Sequence, residues 1–372
     1  MARVYADERE EREYRELVAR IQRVVRYSVP FSDVVIVISR GDEQLVALEA
    51  RPAWHFPLSE RFPAGYHPAN GAEAIGLLEE ARIKTTARFL LVPATEFWWF
   101  DYYPELRRHL ESNYRVSFRN NDCVLFALTW PLDSEYRNAG APDGLPLPPP
   151  DLIRLTVTNE DSKRFYESGL QGRRWIEELL RKKGFDVLSV GSILDFGCGC
   201  GRVLRHWNSL SGVSVSGVDY NPHLVTWCQS HLRFAEVGVT DLEGHLAHQD
   251  DTLGLVYAIS VFTHLDVPFQ QACMQELRRA LRPGGLLLLS LHGSTRVHQL
   301  SDAERVQYES GELVIWRATA SGSNACATFH PERYVRNVLA DGFDVLAHIP
   351  GGAVDVQQDA VLLQKPQLRM GK

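Results

Sequence analysis

The chain contains 372 residues, of which 45% are hydrophobic and 23% charged, and it carries a formal net charge of −7. Its length favours about two domains, and its composition is that of a soluble globular protein. The acidic balance argues against a nucleic-acid partner, because nucleic-acid-binding proteins usually carry a basic surface. The longest apolar run, residues 284–291, is too short for a transmembrane helix, and the charged start from Arg3 onward lacks a signal-peptide core.

The cysteine pattern favours reduced thiols. The six cysteines are scattered, without a C-x-x-C pair and without the regular spacing of a disulfide framework. Cys198 and Cys200 lie between glycines, where small side chains suit a tight turn, and no second pair of ligands accompanies them, so we expect no metal site. These observations predict a cytoplasmic protein. The cysteines are Cys123, Cys198, Cys200, Cys228, Cys273 and Cys326.

Residues 1–130 predict a small α/β accessory domain in which strands alternate with helices. The polar, aromatic segment 54–68 is predicted to be a loop. The Trp98–Trp99 pair suits the core of this domain, an interpretation that we prefer to a stacking platform for a sugar ring. The predicted helices cover about 6–27, 72–82 and 104–111, and the predicted strands cover 33–39, 88–92, 114–118 and 123–128.

A proline-rich linker is predicted at 131–151, because the runs Gly-Ala-Pro-Asp-Gly and Leu-Pro-Leu-Pro-Pro-Pro favour neither helix nor sheet. A second domain is then expected over 152–372. Near its start, the pattern of residues 159–183 predicts a helix with one interruption at Ser168–Gly169.

The most informative stretch of the chain is 192–207, SILDFGCGCGRVLRHW. An apolar run predicts the end of a buried strand, and an acid follows at Asp195. Glycines then occupy alternate positions, Gly197, Gly199 and Gly201, before apolar residues recur at helical spacing. A strand that passes through glycines into a helix presents backbone N–H groups to a ligand, with no Cβ to keep the ligand away.

The glycine spacing decides between two kinds of ligand. A dinucleotide fingerprint requires G-x-G-x-x-G, but its last position falls on Arg202 or Leu204 here. The pattern D-x-G-x-G-x-G instead resembles motif I of the class I S-adenosylmethionine-dependent methyltransferases. Three further features in the order typical of this class strengthen the resemblance: an acid at Asp219 after the second strand, Thr240–Asp241 after the third strand, and the turn LRPGG at 281–285.

Asp219 also has a physical rationale as a cofactor ligand. It follows a predicted strand at 213–218 and lies about twenty residues after the glycine loop, the distance expected for an acid that accepts ribose hydroxyls. The alternative is an Asp that only initiates the turn before the next helix. The other predicted strands of this domain cover 234–239, 253–259, 286–291, 343–349 and 359–363, and its later helices cover 270–281 and 334–339.

The resemblance implies an α/β fold, a Rossmann-like doubly wound and mostly parallel seven-stranded sheet, with S-adenosyl-L-methionine as the cofactor. In this class the helix ahead of motif I often covers the cofactor, and an acid after the third strand often meets the adenine. The implied cofactor-binding residues are Tyr166, Gly169, Asp195, Phe196, Gly197, Cys198, Gly199, Gly201, Arg202, Asp219, Tyr220, Asp241, Ile259 and Ser260.

Two histidines are candidate general bases for a hydroxyl acceptor. His264 follows the fourth strand and His292 follows the fifth, so both are expected at the carboxyl edge where doubly wound sheets bind ligands. His330 is a weaker candidate. His264 also suits a role in orienting the helix after it. The polar insertion 293–328 lies where the family places acceptor-binding lids.

The acceptor is constrained only by the first domain. Its segments GYHPANGAEAIGLLEEAR and FLLVPATEFWWFDYYPEL resemble an accessory region of bacterial glycosyltransferases and methyltransferases of surface-glycan synthesis. That resemblance implies a sugar or glycan-related acceptor. A small metabolite or a protein as acceptor, a non-catalytic methyltransferase-like subunit, and a nucleotide-dependent oxidoreductase or epimerase remain alternatives. Nothing in the residues predicts the oligomeric state.

Overall fold

A computed structural model of the protein describes residues 8–49, 51–58, 66–128, 140–157 and 160–367. The chain divides into two compact units, Met1–Asp133 with Pro149–Glu160, and Ser134–Pro148 with Asp161–Lys372. The predicted linker therefore contributes residues to both units, and its part at 131–139 lies outside the described residues. The predicted domain limits themselves stay a prediction.

The first unit is a five-stranded sheet between two apolar layers. Its order is β2-β1-β3-β5-β4, with parallel pairs among the first three strands and antiparallel pairs among the last three. Side chains alternate across the sheet, so that Ile36 and Leu90 pack on one face and Val37 and Leu91 on the other. The strands are β1 Val35–Ile38, β2 Ala53–Phe56, β3 Phe89–Pro93, β4 Arg115–Arg119 and β5 Cys123–Ala127, and the helices are α1 Glu8–Ser28, α2 Glu43–Val46, α3 Gly71–Thr85, α4 Trp98–Tyr102, α5 Pro104–Asn113 and α6 Pro150–Thr156.

Strand β2 corrects the prediction of a loop from residue 54 onward. It lies at the edge of the sheet and pairs in parallel with β1, where Trp54 is opposite Ile36 and Phe56 is opposite Ile38. Trp54 is exposed, whereas Phe56 is buried against Trp99. This short edge strand has mixed polarity and lacks the continuous apolar run of β1. Its extended conformation therefore depends on pairing with β1, which the local sequence does not reveal.

The second unit is a seven-stranded sheet in the order β13-β14-β10-β9-β6-β7-β8, in which only β14 runs antiparallel to both of its neighbours. This order confirms the predicted Rossmann-like, doubly wound, mostly parallel sheet. The strands of this sheet are β6 Ser192–Phe196, β7 Ser214–Asp219, β8 Glu236–Val239, β9 Leu253–Ala258, β10 Leu281–Leu291, β13 Asp344–Ala353 and β14 Gln358–Gln364. Strands β11 Val314–Trp316 and β12 Ala327–Phe329 form a separate two-stranded antiparallel sheet. The helices are α7 Ser162–Lys182, α8 Pro222–His231, α9 Val267–Ala280, α10 Asp302–Glu309 and α11 Glu332–Tyr334, followed by a π-helical turn at Val335–Leu339.

Two local predictions in the second unit are wrong. Helix α7 runs without interruption through Ser168–Gly169, because Gly169 serves close packing and not a break. After the glycine loop, the helix that the sequence predicted is only the short 3-10 helix Leu204–Trp207. The ligand-binding potential of the loop therefore rests on its main chain and not on a helix dipole.

Among the described residues, none of the helices combines the length and the apolar character needed to cross a bilayer.

Candidate functional site

The glycine loop and the acid after the second strand meet at the carboxyl edge of the second sheet. Strands β6 and β7 are parallel neighbours, so Phe196 and Asp219 end at the same edge. The Gly199 N–H donates a hydrogen bond to Asp219 Oδ2 at 2.8 Å, and the Asn221 N–H donates to Asp219 Oδ1 at 2.8 Å. The structure thus brings together the two segments on which the sequence interpretation depends.

Glycine is required in this loop by conformation and by space. Gly197, Gly199 and Gly201 have φ angles of 80°, 57° and 83°, a region that other residues adopt at a cost. A Cβ at Gly197 would lie 2.3 Å from Val261 Cγ2, and a Cβ at Gly201 would lie 2.3 Å from Leu232 Cδ1. The side chains of Phe196 and Cys198 are buried, so neither side chain is exposed to a ligand.

Two carboxyl groups are buried at this edge. Burial raises the pKa of Asp195 to about 7, opposed by a hydrogen bond from Tyr257, and raises the pKa of Asp219 to about 6, opposed by the hydrogen bonds from Asn221 and Gly199. Tyr257 in turn accepts a hydrogen bond from Trp207 Nε1 at 2.9 Å. Asp195 therefore lies within an internal network, whereas Asp219 lies against the loop backbone.

Helix α7 covers the other side of the loop. A Cβ at Gly169 would lie 1.9 Å from the main-chain oxygen of Arg202, so only glycine permits this approach. The main-chain oxygen of Tyr166 accepts a hydrogen bond from His206 Nε2 at 3.0 Å, and the two rings pack with their centroids 4.7 Å apart. Tyr166 and Gly169 thus fix the helix to the loop.

Arg202 has a partner that the sequence did not indicate. Its guanidinium donates to Asp355 Oδ2 at 2.8 Å, and Trp175 Nε1 donates to Asp355 Oδ1 at 2.6 Å. The Asp355 side chain is fully buried. The predicted cofactor ligand Arg202 therefore uses its side chain to link the loop to the hairpin between β13 and β14.

The turn after β9 is held in an unusual conformation. Ser260 has a φ of 58°, which is uncommon for a residue with a side chain and is often found at ligand sites. Its N–H donates to Ser290 Oγ at 2.8 Å, and its Oγ accepts from Gln358 Nε2 at 2.7 Å. Ser290 Oγ donates to Gln358 Oε1 at 2.7 Å and completes the network. Ile259 is buried beside it.

The two candidate bases lie near each other. The ring centroids of His264 and His292 are 6.2 Å apart. His264 Nδ1 lies 2.7 Å from the main-chain oxygen of Cys326, which can only accept, so Nδ1 carries the proton and Nε2 keeps its lone pair. Burial lowers the pKa of His264, and burial together with His264 lowers the pKa of His292 to about 3. Both rings are therefore neutral near pH 7.

His330 lies deeper than these two histidines. It is fully buried, and its Nε2 lies 3.3 Å from Gln270 Oε1. Burial lowers the pKa of His330 to about 3, so it too is neutral near pH 7. Its burial and its bond to Gln270 agree better with a role in packing than with contact to an acceptor.

Asp241 and Tyr220 are at the periphery of this edge. The Thr240 N–H donates to the main-chain oxygen of Asp219 at 3.1 Å, which brings the turn after β8 beside the acid. Asp241 is exposed and its Oδ2 lies 2.6 Å from His245 Nδ1, while Tyr220 is half-buried. Asp241, Glu243 and His245 bring potential ligand atoms within 4.8 Å of one another, but all three are exposed, and we assign no metal to them.

The fold of the second unit is the Rossmann-like fold of class I methyltransferases, and its central segment is similar to that family. Residues 194–289 match the family model described as "Methyltransferase domain". That segment begins within β6, before the glycine loop, and ends within β10.

Comparisons with individual proteins give partial matches. The chain is 28% identical to methyltransferase GfsG of Streptomyces halstedii, over 32% of this chain and 43% of the relative. It is 26% identical to sterol 24-C-methyltransferase erg6 of Schizosaccharomyces pombe, over 33% of this chain and 34% of the relative. The chain thus spans less than half the length of these relatives. A solved structure of the glycopeptide N-methyltransferase MtfA with S-adenosyl-L-methionine has 18% identity and a TM-score of 0.39, covering 53% of this chain and 94% of that chain.

Proposed function

We propose that the protein transfers the methyl group of S-adenosyl-L-methionine to a hydroxyl of a sugar or glycan-related acceptor. The observation that carries the methyltransferase assignment is the glycine loop at 197–201, whose main chain lies within hydrogen-bonding distance of the Asp219 carboxylate. Bare backbone and a buried acid at the carboxyl edge of a doubly wound sheet suit a nucleoside with two ribose hydroxyls.

Asp219 is the proposed ribose ligand. Each of its oxygens accepts one backbone N–H, from Gly199 and from Asn221, and each retains a lone pair for a ribose hydroxyl. The same two bonds fix the carboxylate in one orientation, so little side-chain freedom is lost when the nucleoside binds. The loop glycines, Tyr220, Ile259 and Ser260 are proposed to surround the rest of the cofactor.

The chemistry is an in-line displacement at a methyl group. When bound, S-adenosyl-L-methionine would supply the methyl group: its carbon–sulfur bond would break as the acceptor oxygen bonds to the methyl carbon, and the electron pair of that bond would stay on the sulfur. The proton of the acceptor hydroxyl passes to a base. The protein contributes alignment of the two reacting atoms, which lowers the barrier by several kcal/mol, and a base held near the acceptor.

His264 is the better of the two candidate bases. Its Nδ1–H is held by the Cys326 carbonyl, so the lone pair of Nε2 has a fixed direction. His292 is the second candidate, but the pKa of His292 is lowered to about 3, which makes it a weaker base. Cys326 belongs to the region predicted to cover the acceptor, which couples the orientation of the base to that segment.

The choice of a sugar acceptor has one support, the resemblance of residues 1–130 to accessory regions of surface-glycan synthesis proteins. The named relatives include a sterol methyltransferase, so acceptors differ widely among proteins that match this chain. A small metabolite or a protein is the alternative acceptor, and a non-catalytic partner subunit is the alternative role. The net charge of −7 favours an acceptor other than nucleic acid.

Calorimetric titration of S-adenosyl-L-methionine into the full chain tests the cofactor assignment. Asp219→Ala removes the ribose acceptor, and Gly199→Val places a branched side chain at a φ of 57°. We expect at least tenfold weaker binding in both variants, and unchanged binding in both would contradict the assignment. Transfer of a radiolabelled methyl group to extracted cell glycans then tests the acceptor. Cofactor binding without transfer to glycans, metabolites or proteins would favour the non-catalytic role.

A further inference from the structure

The topology of the first unit predicts a crevice at the carboxyl edge of its parallel strands. Strand β1 is followed by α2, whose Leu45 packs on one face of the sheet, whereas β3 is followed by α4, whose Trp99 packs on the other face. Strands β1 and β3 are neighbours. Open α/β sheets bind ligands where the connections of two adjacent strands leave to opposite faces. In this unit that point lies between Arg40 and the segment 94–96.

Chemically distinct groups lie on the two segments that flank this point. On the β1 side, Arg40 is exposed, has a φ of 51°, and holds its guanidinium carbon 6.0 Å from the centre of the Trp98 ring. On the β3 side, Glu96 is buried and accepts a hydrogen bond from Trp98 Nε1 at 2.9 Å. The hydroxyl of Thr95 is buried and has no hydrogen-bond partner among the described residues. A buried hydroxyl without a partner marks a place where a ligand or water completes the bonding.

The aromatic residues after β3 divide into a packed half and an exposed half. Trp99 and Tyr103 are fully buried and belong to the core, as the sequence predicted for Trp98 and Trp99, whereas Trp98 is only half-buried against that core. Trp98 and Tyr102 lie with ring centroids 5.9 Å apart, and the His67 ring lies 6.2 Å from each. Tyr102 is 59% exposed. Core packing explains the first pair, but it gives no reason for an exposed tyrosine beside a half-buried tryptophan.

We propose that this crevice is a saccharide-binding site. The exposed Tyr102 ring offers a face for the apolar side of a pyranose, and the exposed Arg40 guanidinium offers hydrogen bonds to sugar hydroxyls. A phosphate-bearing ligand suits the crevice less well, because Asp42 and Glu43 follow Arg40 closely in sequence and the Glu96 carboxylate bonds to Trp98, over whose ring Arg40 lies. The ligand is therefore an uncharged sugar. The site lies within the first unit, and the proposal does not depend on the methyltransferase activity.

Saturation-transfer NMR on the full chain tests the site. The probes are methyl α-D-glucoside, methyl β-D-galactoside, methyl α-D-mannoside and N-acetyl-D-glucosamine, and the dissociation constant of the strongest is then measured by calorimetry. We expect at least one sugar to bind, with about tenfold weaker binding in Tyr102→Ala and in Arg40→Gln. Trp54→Ala is the matched control, because Trp54 is an exposed tryptophan of the same unit that lies opposite Ile36, away from the end of β1. The sugar affinity of Trp54→Ala is expected to stay within about twofold of the wild-type value.

Three outcomes would overturn the proposal: no probe binds, the two crevice variants bind as the wild type does, or uridine monophosphate binds through Arg40 in preference to every sugar. Thermal unfolding followed by circular dichroism establishes that each variant is folded. Affinity for S-adenosyl-L-methionine is expected to be unchanged in all three variants. The proposed sugar site and the proposed cofactor site are therefore tested independently, and either proposal can be contradicted without the other.

Discussion

The carboxylate of Asp219 links the site to pH. Burial raises the pKa of Asp219 to about 6, and in the proposed site the ionised form is the one that would accept ribose hydroxyls through both oxygens. Because a proton competes with the nucleoside for this group, cofactor affinity should fall as the pH drops through about 6. At pH 5 the expected loss is about tenfold relative to pH 7.5.

Calorimetric titrations at several pH values measure this effect. The control is Asp219→Asn, which cannot ionise and should bind the cofactor more weakly but with a flat pH dependence between 5 and 7.5. An equal decline in the wild type and in the variant would place the responsible group elsewhere, and Asp195, the other buried acid of this edge, would become the candidate.

His264 should affect turnover more than cofactor binding. Removing a positioned base costs about 100-fold or more in rate, so His264→Ala should lower kcat by at least that factor and leave cofactor affinity within about twofold. Burial lowers the pKa of His264, so the acid limb of the kcat profile should lie below pH 6.5, the ordinary value for histidine.

A matched control for His264→Ala is His298→Ala, a change to an exposed histidine of the insertion whose ring bonds only locally, to the Thr295 main-chain oxygen. Its kcat should stay close to that of the wild type. If His264→Ala instead weakens cofactor binding with kcat preserved at saturation, the residue is a binding residue and His292 is left as the candidate base.

The spacing of residues along the sequence predicted part of the proposed site. It did not predict the residues that reach the site from distant parts of the chain. The glycines and Asp219 were recognisable because their order and separation along the chain reflect neighbouring parallel strands. Gln358 contacts Ser260 from 98 residues away, and Asp355 contacts Arg202 from 153 residues away. Neither Gln358 nor Asp355 belongs to a local sequence pattern that predicts a strand or a turn. Such residues become visible only when the fold brings the final hairpin to the site.

At the scale of elements, buried apolar runs predicted the central strands well, because each run is long enough to specify a strand by itself. The predicted helix break at Gly169 is wrong, because the helix continues through this residue. Glycine in a helix commonly indicates weakness, but here helix α7 approaches the loop so closely that a Cβ would lie 1.9 Å from the Arg202 oxygen. Sequence alone does not separate a helix break from a close contact.

This contact gives a prediction about helix α7. Gly169→Ala forces the helix away from the backbone of the loop, so we expect the variant to lose about 1–3 kcal/mol of unfolding free energy and to bind the cofactor more weakly. The matched control is Gly76→Ala in helix α3, where a Cβ meets nothing within 4 Å.

Gly76→Ala should raise the free energy of unfolding by about 0.5–1 kcal/mol, because alanine is a better helix former than glycine. Urea unfolding of the full chain measures both changes. Equal effects of the two substitutions would show that propensity, and not the approach of α7 to the loop, determines the response at Gly169.

At the scale of the whole molecule, the two units are not consecutive in sequence. Residues 134–148 belong to the second unit, although 149–160 belong to the first. The reason is an ion pair: the fully buried Arg205 side chain bonds to both oxygens of Asp143, at 2.8 and 2.9 Å, and to the main-chain oxygens of Leu145 and Pro146. A proline-rich composition predicts an extended segment, but it does not reveal that one carboxylate within it neutralises a buried cation.

Breaking this pair should be costly because it leaves Arg205 buried and uncompensated. We expect Asp143→Ala to lower the free energy of unfolding by about 3–5 kcal/mol. The matched control is Asp250→Ala, which breaks the pair between Arg279 and an Asp250 side chain that is 72% exposed, and should cost at most about 1 kcal/mol. Urea unfolding compares the two variants, and equal costs would contradict the role given to Asp143. By the same reasoning, a fragment that starts at residue 152 should be less stable than one that starts at 134, since it lacks the carboxylate that Arg205 requires.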